Sequence, residues 1–256
     1  MPPARKLALI TGGSSGMGAA TAKGLAARGW DLAINYRRGA DDAEAVAVAC
    51  RAAGADAITV QADVADDADC RRLVAETLAR FAGIDALVNS AGVTKFVPHP
   101  DLDGLSAEDF MTMFAVNTVG AFQMARAAAP HLRAAGGMII NVSSAAGLNA
   151  TGSSLAYACS KAALNTLTIS LARSLAPEVR VNAVCPGFVE GRWVEAHLGP
   201  GHYDDHKARF EKIAPLHAAA TNEDVAHAIM WLLDSRVVTG QLVAVDSGFL
   251  LGPAQR

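Results

Sequence analysis

Seven short runs of aliphatic and β-branched residues recur along this chain and restrict what it can fold into. They are LALI (7–10), LAINY (32–36), AITVQA (57–62), IDALVNS (84–90), MIINVS (138–143), VRVNAVC (179–185) and QLVAVD (241–246). A strand with one wet face alternates apolar and polar residues, whereas these runs are apolar at nearly every position, as strands buried on both faces must be. Between them lie Ala-rich stretches of helical periodicity, such as AATAKGLAARG and DADCRRLVAETLARF. Strand and helix therefore alternate throughout, which predicts an α/β fold: a doubly wound, seven-stranded parallel sheet with helices on both faces. Hydrophobic residues make up 52% and charged residues 18%, enough apolar material for such a core. No linker, repeat or shift of composition divides residues 1–256, so one domain is expected. One stretch resists the rhythm. Residues 187–220, GFVEGRWVEAHLGPGHYDDHKARFEKIAPLHAAA, are rich in Gly, His and charge, and predict a long irregular lid over a ligand crevice.

Charge and cysteine usage narrow the partners. A net charge of −3 gives no electrostatic case for nucleic acid or an anionic membrane. No apolar run is long enough to span a bilayer. The start, MPPARKLALITGG, reaches its glycines too soon for a signal peptide. Cys50, Cys70, Cys159 and Cys185 lack metal-ligand spacing and read as reduced thiols. A soluble cytoplasmic protein is expected.

TGGSSGMG (11–18) follows the first apolar run and opens the first helical stretch. Glycines there let the backbone turn sharply beside a pyrophosphate, and a helix N-terminus offers free N–H groups and partial positive charge. No Gly-Lys-Ser/Thr follows, so the loop is not a Walker A motif. Its pattern, Gly12, Gly16, Gly18, also differs from the commoner G-x-G-x-x-G, but its position favours a dinucleotide. The second run ends in Asn35-Tyr36-Arg37-Arg38, with no carboxylate before Asp41. An acid there would bond the ribose hydroxyls of NAD; a guanidinium suits a 2′-phosphate instead. NADP(H) is therefore the expected cofactor, with NAD(H) the second choice.

Within LAYACSKAAL (155–164), Tyr157 and Lys161 stand four apart and share one helix face. Taken alone, such a pair reads as a surface stripe. Together with TGGSSGMG, the NSAG of 89–92 and the serines before Tyr157, it makes the chain resemble the short-chain dehydrogenase/reductase family in its single-domain, Rossmann-type form. The resemblance runs from Lys6 to about Gly252. It implies cofactor contacts from Gly12, Ser14, Ser15, Gly16 and Met17, from Tyr36 and Arg37, and from Asp63 and Val64 at the adenine. Asn89, Ala91 and Gly92 would follow, then Pro186, Gly187 and Val189 beside the nicotinamide. It also implies a catalytic set of Asn117, Ser144, Tyr157 and Lys161, the last pair contacting cofactor too. Ser144 is preferred to Ser143 because it lies 13 positions before Tyr157. Tyr157 would be the acid/base, its pKa lowered by the Lys161 ammonium. Lys161 would bond the nicotinamide ribose, Asn117 would hold a relay water, and Ser144 would steady the substrate oxygen.

The expected reaction is hydride transfer between nicotinamide and a small carbonyl or secondary alcohol. Two alternatives compete: 3-oxoacyl-carrier-protein reduction and a non-catalytic cofactor sensor. Ala135 and Glu178 stand where basic carrier-docking residues are expected, although Arg133 and Arg180 are close by. Enoyl-reducing relatives space Tyr and Lys more widely. Two departures stand out. Ser15 replaces a basic residue frequent in NADP-using relatives, and Gly191 stands where relatives carry a threonine for the carboxamide. Phe188, Trp193 and His197 are candidate pocket walls. HYDDH (202–206) has ligand spacing in His202 and His206 but no third ligand, so no metal is expected. The resemblance further implies a homotetramer built through helices around 106–134 and 154–175 and the C-terminal strand.

Overall fold

The apolar runs become the strands of a single sheet. A computed structural model describes residues 5–191, 194, 195, 198 and 201–252. Its strands are β1 (Leu7–Thr11), β2 (Asp31–Tyr36), β3 (Ala57–Gln61), β4 (Ala86–Asn89), β5 (Met138–Val142), β6 (Arg180–Pro186) and β7 (Leu242–Val245). All neighbours are parallel, in the order β3-β2-β1-β4-β5-β6-β7. The order reverses between β1 and β4, and the crevice beyond the C-terminal ends of strands at such a switch point is where open α/β sheets take their ligands. Thr11 and Asn89 are register partners there.

Helices α1 (Gly16–Ala27), α2 (Ala40–Ala52) and α9 (Asn222–Asp234) cover one face; α3 (Asp67–Arg80), α5 (Ala121–Ala135) and α7 (Leu155–Leu175) cover the other. Alternate residues of β1 serve the two layers: Ala8 and Ile10 pack in the first, Leu7 and Leu9 in the second. This is why the run reads as continuously apolar. Two further helices, α4 (Ala107–Phe114) and the short α6 (Ala146–Asn149), flank the sheet's C-terminal edge, and α8 (His202–Ile213) lies late in the chain. Between α4 and α5 the helix widens into a π-helical turn over Ala115–Gly120, a distortion common at functional sites. No described helix is long and apolar enough to cross a membrane.

The region 187–220 departs from the expected irregular lid. Twelve of its residues form α8, which buries Phe210 against Phe188 and Phe249. Val189 bridges to Ala220 and so joins the two ends of the insertion. The helix escaped the sequence pattern because its apolar partners lie outside its own span. A polar dodecamer with one deeply buried aromatic has almost no periodic signal of its own.

Candidate active site

Thr11 closes β1, and its Oγ1 accepts hydrogen bonds from the Ser90 and Ala91 amides, each at 3.1 Å. Gly12 adopts φ +63°, and a Cβ on it would lie 2.8 Å from the Ala91 Cα. Gly18 is just as constrained, since its Cβ would fall 2.5 Å from the Gly12 carbonyl oxygen. Glycine is required at both positions by backbone contact. Asn35, buried at the end of β2, organises the loop: its Oδ1 accepts from Gly12 N at 3.3 Å while Nδ2 donates to Val60 O and Ala62 O at 3.2 and 3.0 Å. Helix α1 then starts at Gly16 with no side-chain cap from Ser15 and no acid in its first turn. Its amides and the positive end of its dipole face outward. A cleft of about 290 Å³ runs along Ser14, Ser15 and Gly16, with Lys23, Asp42 and Asn222 among its walls. Met17 is partly buried and packs on the core behind.

At the far end of the crevice, Arg37 Nη1 lies 3.4 Å from Asp63 Oδ2, with both side chains partly exposed. Asp63 also accepts from Ala65 N at 3.0 Å. Tyr36 is half-buried beside them. Val64 is buried against Gly120, and Gln123 donates to its carbonyl at 2.8 Å. The turn after β3 is thereby fastened to the π-helical segment.

The four candidate catalytic residues converge at the C-terminal ends of β4 to β6. Ser154 caps α7 by accepting from Tyr157 N at 3.3 Å, which orients the first turn carrying the tyrosine. The Ser144 side chain stands close enough to the Tyr157 hydroxyl to favour its ionised form, while Ser143 instead donates to Lys161 O at 3.2 Å. Ser144 is itself fixed by Ala146 N at 3.1 Å and lies 3.5 Å from Pro186 O. Lys161 is 4% exposed. Its ammonium donates to Val142 O at 2.8 Å and sits 5.7 Å from the Tyr157 ring centroid. Asn117, in the π-turn, spends its side chain locally: Oδ1 accepts from Val93 N at 2.8 Å, and Nδ2 donates to Val93 O and Ser160 Oγ at 3.0 and 2.9 Å.

The electrostatics differ from expectation. Burial pushes the Tyr157 hydroxyl up to about 12, against a smaller lowering from the Ser144 hydrogen bond. Burial also pulls Lys161 down to about 8. The expectation of a lysine-depressed tyrosine fails in this geometry because desolvation outweighs a charge that points at the Val142 carbonyl.

Pro186 O accepts from Ala145 N at 2.8 Å, tying the end of β6 to the turn that carries Ser144. A Cβ on Gly187 would stand 3.0 Å from the Asp246 Cα. Beyond it, Phe188 packs against Tyr203, His206 and Phe210 with ring centroids 5.6–5.9 Å apart. Trp193 and His197 lie outside the described residues. His206 faces Phe188, and burial lowers its pKa. Among the described residues no three His, Cys, Asp or Glu side chains are grouped to hold a metal ion.

Several organising residues had no role in the sequence reading. Asn141 receives from Asn89 Nδ2 and donates to Thr168 Oγ1, both at 2.9 Å, inside the sheet–helix interface. Ser160 links Asn117 to the Tyr157 carbonyl, 2.8 Å away. Asparagines inside apolar runs, Asn35 and Asn141 alike, were the available signal, since a buried amide must find partners.

An uncapped helix start behind a close-packed glycine turn, at the switch point of a parallel sheet, fits a dinucleotide's pyrophosphate. The comparisons agree. Residues 12–250 match a family model described as enoyl-(acyl carrier protein) reductase. The chain is 38% identical over 247 residues to "Granaticin polyketide synthase putative ketoacyl reductase 2" of Streptomyces violaceoruber, covering 96% of each. It superimposes with TM-score 0.90 and 42% identity on a "putative short-chain dehydrogenase/reductase from Burkholderia xenovorans", covering 97% of this chain and 99% of that one. An NADH-dependent reductase, A1-R′, responsible for alginate metabolism gives TM-score 0.84 at 28% identity, covering 96% and 97%. Fold and site are those of a nicotinamide-dependent oxidoreductase. The chain belongs to the short-chain dehydrogenase/reductase family.

Proposed function

We propose that the chain reduces a small ketone to a secondary alcohol, with Tyr157 as the proton donor. The convergence of Tyr157, Ser144 and the buried Lys161 ammonium, 5.7 Å from the Tyr157 ring centroid, carries this reading. Pro186, Gly187 and Val189 would flank the nicotinamide of a bound cofactor, which would supply the hydride for the carbonyl carbon. Ser144 donates a hydrogen bond to the substrate oxygen as charge develops on it. Tyr157 then delivers its proton to that oxygen. Its hydroxyl, pushed up to about 12, stays protonated at neutral pH, which is the form that reduction consumes. The Lys161 charge stabilises the phenolate left behind. Asn117 holds the turn behind Lys161, and any relay water is met by its main chain, because its amide is already engaged.

NADP(H) is the proposed cofactor. Arg37 stands at the end of β2, where the 2′-phosphate of a cofactor on α1 would fall, and Arg38 adds a second charge. Asp63 shares the Arg37 guanidinium, so the preference over NAD(H) is moderate. Met111 on α4, Val119 in the π-helical turn and Phe122 on α5 are exposed apolar side chains that support self-association; a homotetramer and a cytoplasmic location are proposed with this reading.

A 3-oxoacyl thioester is the second substrate reading, favoured by the name of the Streptomyces relative. The four-residue spacing of Tyr157 and Lys161 favours carbonyl over enoyl reduction. Thermal unfolding with NADPH, NADH or neither tests the cofactor, because a ligand that binds only the native state raises the melting point. Stabilisation by NADPH above NADH is expected. A melting point indifferent to both overturns the oxidoreductase reading. Comparing kcat/KM for simple ketones with that for an acetoacetyl thioester then separates the two substrates.

A further inference from the structure

The backbone leaving β6 passes through Phe188, Val189, Glu190 and Gly191. Glu190 N donates to Ala220 O at 2.9 Å, and Ala220 N donates to Phe188 O at 3.1 Å. From α8, the Tyr203 hydroxyl accepts from Gly191 N at 3.3 Å, and Lys207 Nζ lies 2.9 Å from Glu190 Oε1. One more contact comes from a different quarter. Asn222, the first residue of α9, donates through Nδ2 to Glu190 O at 3.3 Å.

Asn222 is held on a rigid support. The Thr221–Asp224 capping box fixes the start of α9. That helix packs closely on α1, where a Cβ on Gly24 would meet Met230 at 3.0 Å. The Asn222 amide spans two glycines. Its Oδ1 lies 3.5 Å from where a Cβ of Gly16 would stand, and its Nδ2 lies 3.3 Å from the corresponding point on Gly191. Both glycines have positive φ, +54° and +142°, and have no side chain with which to make this contact themselves. The same asparagine lines the cleft along Ser14, Ser15 and Gly16.

We infer that Asn222 is a positioning residue that sets the distance between the glycine loop and the exit of β6. This inference rests on the reading above that a dinucleotide touches both segments. A bound cofactor gains full contact only when the two segments are correctly spaced, and without the amide the cofactor must impose that spacing itself. Ordering a loosened segment then lowers affinity, while the chemical step, carried by Tyr157 and Ser144, is left alone. Linkage adds a reciprocal effect: cofactor binding should tighten Glu190–Gly191.

Two variants test this: Asn222→Ala, which removes the amide, and Asn222→Asp, which keeps the shape but loses the donor to Glu190 O. In the cofactor-free protein, hydrogen exchange followed by mass spectrometry should quicken about tenfold across 187–191 in both variants, with α1 and α9 unchanged. The dissociation constant for whichever of NADPH or NADH binds the wild type should rise about five- to tenfold, as expected for one lost hydrogen bond, with kcat within about twofold. Unchanged exchange at 187–191 would overturn the bracket. So would faster exchange throughout α1 and α9, which would mark a merely structural residue. An unchanged dissociation constant, or a kcat that falls as far as affinity does, would overturn the link to cofactor placement. A wild type that binds neither cofactor would sink the oxidoreductase reading and that link together, while the exchange data would still judge the bracket.

Discussion

Replacing Lys161 with Met should make the folded protein more stable and abolish turnover. The Lys161 ammonium is 4% exposed and has a neutral carbonyl, Val142 O, as its hydrogen-bond partner. Burial pulls its pKa from 10.5 to about 8. Holding that proton in the folded state at neutral pH therefore costs roughly 3 kcal/mol. Methionine keeps most of the stem's volume and removes the charge, but strips the Val142 carbonyl of a donor, which costs about 1–2 kcal/mol. The net expectation at pH 7 is a gain of about 1–2 kcal/mol, or a melting point higher by roughly 2–8 °C for a chain of this size. The sign reverses the usual pattern for a paired lysine. Between pH 8 and 10.5 the unfolded chain keeps the lysine proton and the folded chain has released it, so wild-type stability rises with pH across that window. The variant's advantage should be constant below pH 8, vanish near about pH 9 to 9.5 and turn into a deficit of about 1–2 kcal/mol by about pH 10.5. Urea unfolding of both proteins at pH 7 and pH 10, followed by tryptophan fluorescence, measures the difference directly, because every other titration cancels between them. A variant less stable than wild type at pH 7, or a difference that does not change with pH, would refute the reasoning.

Tyr157→Phe should lower turnover by about 10²–10⁴ while leaving the cofactor-induced rise in melting point intact, and near-normal turnover would remove the proposed proton donor. Arg37→Ala should raise KM for NADPH about tenfold and leave KM for NADH within about twofold, whereas equal losses would make Arg37 an ordinary loop residue. Asn141→Leu breaks two buried side-chain hydrogen bonds of 2.9 Å and should cost about 2–4 kcal/mol by urea midpoint; a cost below about 1 kcal/mol would mean that Asn89 and Thr168 find other partners.

The sheet was legible because a strand buried on both faces announces itself locally, and each predicted run lies within two residues of an observed strand. The glycine loop was legible for a similar reason, since its spacing records backbone contacts such as Gly12 against Ala91. Helix α8 was not, because Phe210 finds Phe249 nearly forty residues further on. Nor was the state of Tyr157. Spacing places an ammonium one turn away, but the fold turns it toward Val142 O, and burial dominates. The roles of Asn35, Asn141 and Asn222 depend on partners from distant strands and helices, which no window of sequence contains.

The Asn35 amide has a consequence for redesign. It receives the Gly12 amide and at the same time ties β2 to the end of β3, while Gly12 itself rests on Ala91 after β4. The glycine turn is thus not a detachable module. Transplanting TGGSSGMG into another scaffold, or swapping in a foreign loop to retune cofactor choice, would cut a joint shared by four strands. The smallest portable unit comprises the loop, Asn35 and the two backbone surfaces they grip, and a graft that omits any of these imports the letters without the shape.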